Sequence, residues 1–216
     1  MKQEINPKQS KRAQAFELWM RSPMPMVTLT KTINVTRIRK ISIQKNYKFN
    51  MLLCWCIGKA AYGIDEFYTL PEQGRLFRYD RLAINVIVNN REGGINSCDI
   101  PYTDDIKQFN DAYTTLTLQA ATTCKSISDE DAMVIGTSAI TATELDSIVN
   151  QYTDLFCNPM VMWGRYRRGN THAWNRCWRG LFKTTLPISF QFHHVQMDGS
   201  HAARFLEELQ KTINQC

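Results

Sequence analysis

The side chains best suited to chemistry lie in one heptapeptide near the end of the sequence, His193–Gly199 (HHVQMDG). Side chains alternate along a strand, so the adjacent histidines point to opposite faces and at most one of them faces a given cleft. An imidazole titrates near neutral pH and is the usual general base for a hydroxyl nucleophile. The motif therefore predicts proton transfer at one histidine. The non-catalytic interpretation is two packed histidines and an aspartate, Asp198, that caps a helix.

Hydrophobic periodicity predicts a strand before this motif and a helix after it. Residues 186–192 alternate in the manner of a strand, and the apolar residues between Ala202 and Ile213 recur at helical spacing. Further helices are predicted over residues 9–20, 50–61 and 103–122, and further strands over residues 26–35, 75–79, 82–88 and 160–166. No repeat or linker divides the sequence, so we expect one α/β domain over residues 1–216.

The composition is that of a folded protein without membrane spans. Hydrophobic residues make up 44% of the 216 residues, enough to bury a core, which excludes a disordered chain. The longest apolar stretch, Met51–Gly58, stops at Lys59 and is far shorter than the roughly 20 residues that cross a bilayer. The first residues lack the apolar run of a secretory signal, and this predicts a cytoplasmic protein with reduced thiols.

Cysteine spacing and charge give little evidence for a metal or a nucleic acid. Among seven cysteines only Cys54 and Cys56 lie close together, in an apolar segment typical of buried thiols, and no second ligand pair follows, so no metal is expected. The net charge is +6, with basic clusters at residues 37–40 and 165–168. Such clusters suit either a phosphate-bearing partner or a solvated face. The sequence does not resemble a helix-turn-helix, an RNA-recognition signature or a zinc finger, so nucleic acid is not an expected partner.

Segments spread along most of the chain match, in order, those of a known family. They are Arg12 with Phe16 and Glu17, Tyr47–Phe49, Pro101–Phe109, Thr137–Ala139, Phe156 with Pro159, Gly164–Tyr166 and Leu186–His194. Together with the His-His-x-x-x-Asp-Gly motif, they resemble the trimeric chloramphenicol acetyltransferases, which belong to the CoA-dependent acyltransferases. The resemblance implies a single-domain, two-layer α/β sandwich with a mixed sheet and packed helices. It also implies a homotrimer whose active sites lie between subunits.

The same resemblance implies an activity and assigns roles to residues. The expected reaction transfers the acetyl group of acetyl-CoA to a small hydroxyl acceptor, with chloramphenicol as the default. His194 is the expected general base, and the resulting alkoxide attacks the thioester directly. Ser138 matches the serine that stabilises the oxyanion and is grouped with the residues that contact the cofactor, although a turn hydroxyl is its alternative interpretation.

Two further roles are structural or electrostatic. Asp198 matches an aspartate that pairs with an arginine of the first helix, which is Arg12 here, and the alternative for Arg12 is a surface cation. Lys48 and the basic cluster at residues 165–168 are the candidates for binding the phosphates of CoA. Their order of importance stays open.

The sequence departs from the family mainly where the antibiotic binds. Leu18 and Trp19 stand in place of an aromatic pair that lines the acceptor pocket, and Met162 replaces a threonine that bonds the drug. Other departures are Asn50, Ala142 and a longer segment at 170–180. These changes leave a different small hydroxyl or amine acceptor open. The alternative from another class is a non-catalytic CoA-binding or interaction protein, which is favoured if His194 lies away from any cleft.

Overall fold

The computed structural model describes residues 1–150, 156–169 and 183–216, and the chain there alternates between strands and helices. The strands are β1 (Gln3–Ile5), β2 (Met26–Asn34), β3 (Thr69–Glu72), β4 (Arg75–Arg78), β5 (Leu82–Asn89), β6 (Ile95–Pro101), β7 (Met133–Ile140), β8 (Met160–Gly164), β9 (Arg167–Arg168) and β10 (Thr184–His193). The α-helices are α1 (Ala13–Trp19), α2 (Thr36–Lys45), α3 (Phe49–Tyr62), α4 (Ile106–Thr123) and α5 (Gly199–Gln215). Short 3₁₀ turns lie at Pro7–Gln9 and Asp65–Tyr68.

A mixed sheet forms the centre of the fold. Its strand order is β2-β10-β8-β7-β5-β6, with β9 paired to β10, and a separate small sheet has the order β1-β4-β3. Strand β10 runs antiparallel to β2 and β8, whereas β7 runs parallel to β5 and β8. This arrangement, with helices packed against the sheet, confirms the predicted mixed α/β architecture.

The two faces of β10 have different chemistry because its side chains alternate. Phe190 and Phe192 join the hydrophobic core, and the Phe190 ring lies 4.5 Å from that of Phe205 on α5. Ser189, Gln191 and His193 point to the opposite face and are also buried. The strand that leads to the histidine motif is therefore covered on both sides, which fixes its position.

Most of the predicted elements are confirmed with small changes at their ends. The predicted strand at 160–166 ends at Gly164, and the predicted first helix is shortened because Pro7–Gln9 forms a separate 3₁₀ turn. The sequence pattern did not predict α2, in which Ile38 is buried and Ile41 only partly so among polar and basic neighbours. It also did not predict β6, or β7, whose centre is Gly136-Thr137-Ser138. The segment at 170–180 lies outside the described residues.

The described part of the chain contains neither a helix suited to span a membrane nor a cluster of candidate metal ligands. Within residues 1–150, 156–169 and 183–216, no helix combines the length and the apolar composition needed to cross a membrane. In the same ranges, histidine, cysteine and acidic side chains do not gather in threes to form a candidate metal site.

Candidate active site

The two histidines of the motif occupy different environments at the end of β10. His193 is the last residue of the strand, is 3% exposed, and its Nδ1 accepts a hydrogen bond from the Val195 amide at 3.1 Å. His194 lies one residue beyond the strand, where its amide donates to the Pro25 carbonyl at 2.8 Å. Its side chain is only half-buried. His194 is therefore the histidine of the pair that the fold leaves accessible.

The His194 imidazole stacks on the indole of Trp19, the last residue of α1. The ring centroids are 4.1 Å apart and the planes differ by 5°. The Phe192 ring meets the same imidazole edge-on, with centroids 6.5 Å apart. The His194 Nδ1 atom is buried without a hydrogen-bond partner among the described residues. The aromatic contacts hold the ring in one plane and enclose one of its two nitrogens.

The Arg12 side chain binds three groups of the motif at once. Its Nε donates to the Val195 carbonyl at 3.0 Å, and one terminal nitrogen donates to the His194 carbonyl at 2.8 Å. The other terminal nitrogen donates to the Asp198 carboxylate at 3.3 Å. The Arg12 side chain is 19% exposed, so it is not a surface cation. A rigid, planar guanidinium thus fixes the backbone that directly follows the His194 side chain.

Asp198 serves as the N-cap of α5 while it contacts Arg12. Its side chain accepts hydrogen bonds from the Ser200 and His201 amides and from the Ser200 hydroxyl, while His201 Nδ1 accepts from the Asp198 amide. Partial burial acts to raise the pKa of Asp198, but these hydrogen bonds and the His201 charge outweigh it and lower the pKa to about 2. The helix cap and the arginine contact, which the sequence left as alternatives, coexist on one carboxylate.

Ser138 lies on β7, and one strand, β8, lies between β7 and the strand β10 that leads to His194. The strand register aligns Ser138 with Met162 and, on the next strand, with Ser189. His194 follows Ser189 by five residues. Strand spacing and residue rise place Ser138 and His194 about 19 Å apart in one chain. A single subunit therefore does not bring these two side chains to the same substrate atom.

The residues expected to contact the acceptor are also separated. Leu18 is 62% exposed on α1, one residue before Trp19. Met162 is 1% exposed, and its Sδ accepts a hydrogen bond from Asn150 Nδ2 at 2.9 Å. The chain before Asn150 crosses the same face, since the Ile148 amide donates to Ser189 Oγ at 2.8 Å. Within one chain, Leu18 is therefore exposed to solvent, whereas Met162 is buried beneath the segment that contains Asn150.

Lys48 lines a separate cavity of about 380 Å³. The cavity is lined by Lys48, Phe49, Asn50, Tyr113, Thr141, Trp163, Gly164, Arg165 and Tyr166. The Arg39 guanidinium lies over the Tyr166 ring, 5.6 Å from its centroid, and interaction with Arg39 and then with Arg168 lowers the pKa of Tyr166. Arg167 instead pairs with Asp146 at 2.5 Å. The basic cluster thus divides, and Arg165 is the member that lines the cavity beside Lys48.

There was no clear signal in the sequence for the contacts of two residues, Trp19 and Arg39. Trp19 was expected to line the acceptor pocket, and its stacking on His194 depends on how α1 approaches β10, which residue types do not reveal. Arg39 reaches Tyr166 from α2, the helix that the periodicity missed.

The fold matches those of solved acyltransferase structures. A solved structure of a chloramphenicol acetyltransferase matches with a TM-score of 0.80 at 20% identity, covering 99% of this chain and 100% of that one. A probable dihydrolipoamide acetyltransferase from Listeria monocytogenes 4b F2365 matches with a TM-score of 0.70 at 10% identity, covering 98% of this chain and 93% of that chain.

The sequence matches the family model described as chloramphenicol acetyltransferase over residues 2–210, so the chain belongs to that family. Chloramphenicol acetyltransferase 3 from Escherichia coli is 26% identical over 211 residues, which cover 94% of this chain and 92% of that protein. Membership identifies the protein as an acetyltransferase enzyme of a family that uses acetyl-CoA as co-substrate.

Proposed function

We propose that the protein acetylates a hydroxyl group of chloramphenicol with acetyl-CoA, and that His194 is the general base. The observation that carries this proposal is the orientation of His194: stacked on Trp19, flanked by the carbonyl contacts of Arg12, and half-exposed at the end of β10. A non-catalytic protein has no need to hold one accessible imidazole in this way. The accessibility of His194 also weighs against the interpretation as a binding protein.

The proposed reaction proceeds by direct attack. His194 Nε2 takes the proton from the acceptor hydroxyl, because Nδ1 is enclosed. The acceptor oxygen then forms a bond to the thioester carbonyl carbon, and negative charge develops on the carbonyl oxygen. As the C–S bond breaks, the sulfur of CoA recovers the proton from the imidazolium. Arg12 and Asp198 act as positioning residues that hold the backbone of the motif.

We propose that each active site is shared between two subunits of a homotrimer. Ser138 suits the role of oxyanion donor, yet it lies about 19 Å from His194 of its own chain by strand spacing. The donor to a tetrahedral oxyanion must lie within hydrogen-bond distance of that oxygen. Ser138 of the partner subunit supplies this donor in our proposal. Cyclic symmetry then repeats the same pairing at each interface.

The cavity beside Lys48 is proposed to receive the phosphates of acetyl-CoA. Lys48 and Arg165 line it and provide positive charge, while Phe49 and Tyr166 form an aromatic wall with ring centroids 5.3 Å apart. Phosphate groups bind strongly to paired cationic side chains. Arg167 is excluded from this role because it is neutralised by Asp146 and Glu144.

The residues expected to contact the acceptor depart most from the family pattern. Met162 stands where the family has a threonine that bonds the drug, and loss of a donor to a buried polar group costs about 1 to 3 kcal/mol. This difference favours a second candidate, the same chemistry on another small hydroxyl or amine compound. The two candidates share His194, Ser138 and acetyl-CoA and differ only in the contacts made by Leu18, Trp19 and Met162.

The decisive experiment measures release of the free CoA thiol from acetyl-CoA, with and without chloramphenicol, for the wild type and for His194→Ala. We expect release that depends on chloramphenicol in the wild type and is lost in the variant. Undiminished turnover by His194→Ala contradicts the role of the base. Acetyl-CoA binding without thiol release rejects chloramphenicol, and a panel of hydroxyl and amine acceptors then tests the second candidate.

A further inference from the structure

The cavity beside Lys48 is lined by a buried hydrogen-bond donor that the chain itself leaves unused. Trp163 lies on β8, lines this cavity and is 2% exposed. Its indole Nε1 is buried and has no hydrogen-bond partner among the described residues. By contrast, Trp55 on α3 is 7% exposed, and its Nε1 donates to the Thr103 carbonyl at 3.1 Å. A buried N–H group normally has a partner, so we expect the occupant of the cavity to supply the acceptor for Trp163.

The lining of this cavity combines exposed cations with buried aromatic rings. Lys48 and Arg165 are exposed, Tyr166 is half-buried, and Tyr113 and Trp163 are buried. A phosphate that entered the buried part would lose its hydration among aromatic rings, so we expect phosphates to stay beside the exposed cations. The buried part instead suits a neutral, planar group that stacks on aromatic rings and accepts a hydrogen bond.

The strand register indicates which end of acetyl-CoA meets Trp163. Side chains alternate along β8, so Met162 and Trp163 point to opposite faces of the sheet. Ser138 is aligned with Met162 and shares its face. The acetyl thioester has to reach the Ser138 hydroxyl, so the thioester end of the cofactor belongs to that face. The nucleotide end is left for the cavity, and its adenine base is a planar, neutral ring whose nitrogens accept hydrogen bonds.

We infer that Trp163 is a cofactor-binding residue whose indole N–H donates to a ring nitrogen of the adenine base of acetyl-CoA. Lys48 and Arg165 hold the phosphates beside it. This inference rests on the proposed binding of acetyl-CoA in the cavity. The hydrogen bond contributes specificity, because a thioester that lacks the base leaves the buried N–H unpaired. Trp163 therefore distinguishes acetyl-CoA from smaller thioesters of pantetheine.

Isothermal titration calorimetry of the purified full chain with CoA tests the role of the indole. Trp163→Phe keeps an apolar ring and removes the donor, so we expect the Kd of CoA to rise about three- to tenfold. Trp55→Phe is the matched control, since the Trp55 N–H is already paired within the chain. It should lower Tm and leave the Kd of CoA unchanged. An unchanged Kd in Trp163→Phe, or an equal rise in both variants, overturns the inference.

Nuclear magnetic resonance of the wild type gives a second readout that does not depend on folding of a core variant. Adenosine should shift the indole N–H resonance of Trp163, whereas inorganic phosphate and S-acetylpantetheine should not. A shift with either of these two compounds, or none with adenosine, overturns the assignment to the base. Both measurements are independent of acetyl transfer. If the wild type fails to acetylate chloramphenicol, the proposed function is rejected while the two binding results still decide the role of Trp163.

Discussion

The indole of Trp19 and the imidazole of His194 lie face to face at 4.1 Å with their planes 5° apart. Trp19 closes α1, and His194 follows β10, so the stack joins two segments that are far apart in sequence. This contact, together with the three-way binding of Arg12, sets the orientation of the proposed base before any substrate is present.

Loss of the Trp19 stack should reduce the rate of the chemical step more than it weakens the binding of acetyl-CoA. Aromatic stacking contributes about 0.5 to 1.5 kcal/mol, so Trp19→Ala should lower kcat by up to about tenfold while KM for acetyl-CoA changes little. Trp19→Phe keeps an aromatic face and should retain most of kcat. Steady-state kinetics with both substrates varied measure the effect. A KM increase for acetyl-CoA with unchanged kcat would contradict this role.

Removal of the Arg12 guanidinium should destabilise the fold and lower activity together. Arg12→Ala leaves two backbone carbonyls and the Asp198 carboxylate without their donor. We expect a loss of about 2 to 4 kcal/mol in the free energy of unfolding. Urea denaturation measures it. The matched control is Arg81→Ala, which breaks the exposed ion pair with Asp129 and should cost less than about 1 kcal/mol. Equal losses in the two variants would count against the proposed role of Arg12.

The Asp198 carboxylate should make stability sensitive to acid in a defined window. Its pKa in the folded state is about 2, below the ordinary value of 3.8, so its contribution is complete above about pH 4 and is lost as pH falls towards 2. The difference in unfolding free energy between the wild type and Asp198→Asn should therefore shrink across this window. Denaturation series at several pH values measure it, and a difference that stays constant down to pH 2 refutes the assignment.

The separation of Ser138 from His194 predicts complementation between inactive subunits. In the proposed homotrimer, the His194→Ala and Ser138→Ala variants should each be nearly inactive, with Ser138→Ala reduced by about 10²- to 10³-fold in kcat. If the two variants are unfolded together and refolded as mixed trimers, about one quarter of the sites combine an intact His194 with an intact Ser138 of the partner subunit. Activity should rise to about that fraction. Mixing without refolding is the control, and mixtures no more active than their parents would mean that each site lies within one chain.

The sequence predicted β10 and helices α3 to α5 well because their apolar residues follow a clear period. The strand before the motif and helices α3 to α5 were found within a few residues. Helix α2 was missed because Ile38 is its sole buried residue among polar and basic neighbours. Strand β7 was missed because Gly136, Thr137 and Ser138 interrupt its apolar pattern.

The candidate site was only partly accessible to the same reasoning. The motif pointed to His194 and Asp198 because spacing within a short segment constrains local geometry. The distance between Ser138 and His194 depends on the strand order β10-β8-β7, which the sequence pattern did not contain. The Trp19 stack depends on the approach of α1 to β10, and its residue type alone indicated no more than a pocket wall.

The double role of Asp198 restricts which residues position 198 can hold. Asparagine has the right length to cap α5 but lacks the charge that faces Arg12. Glutamate keeps the charge, but its extra methylene is a poor match for the cap geometry around Ser200 and His201. Serine can cap the helix, but it has no negative charge to pair with the Arg12 guanidinium. In a saturation library of this codon, aspartate alone should retain both full thermal stability and full turnover.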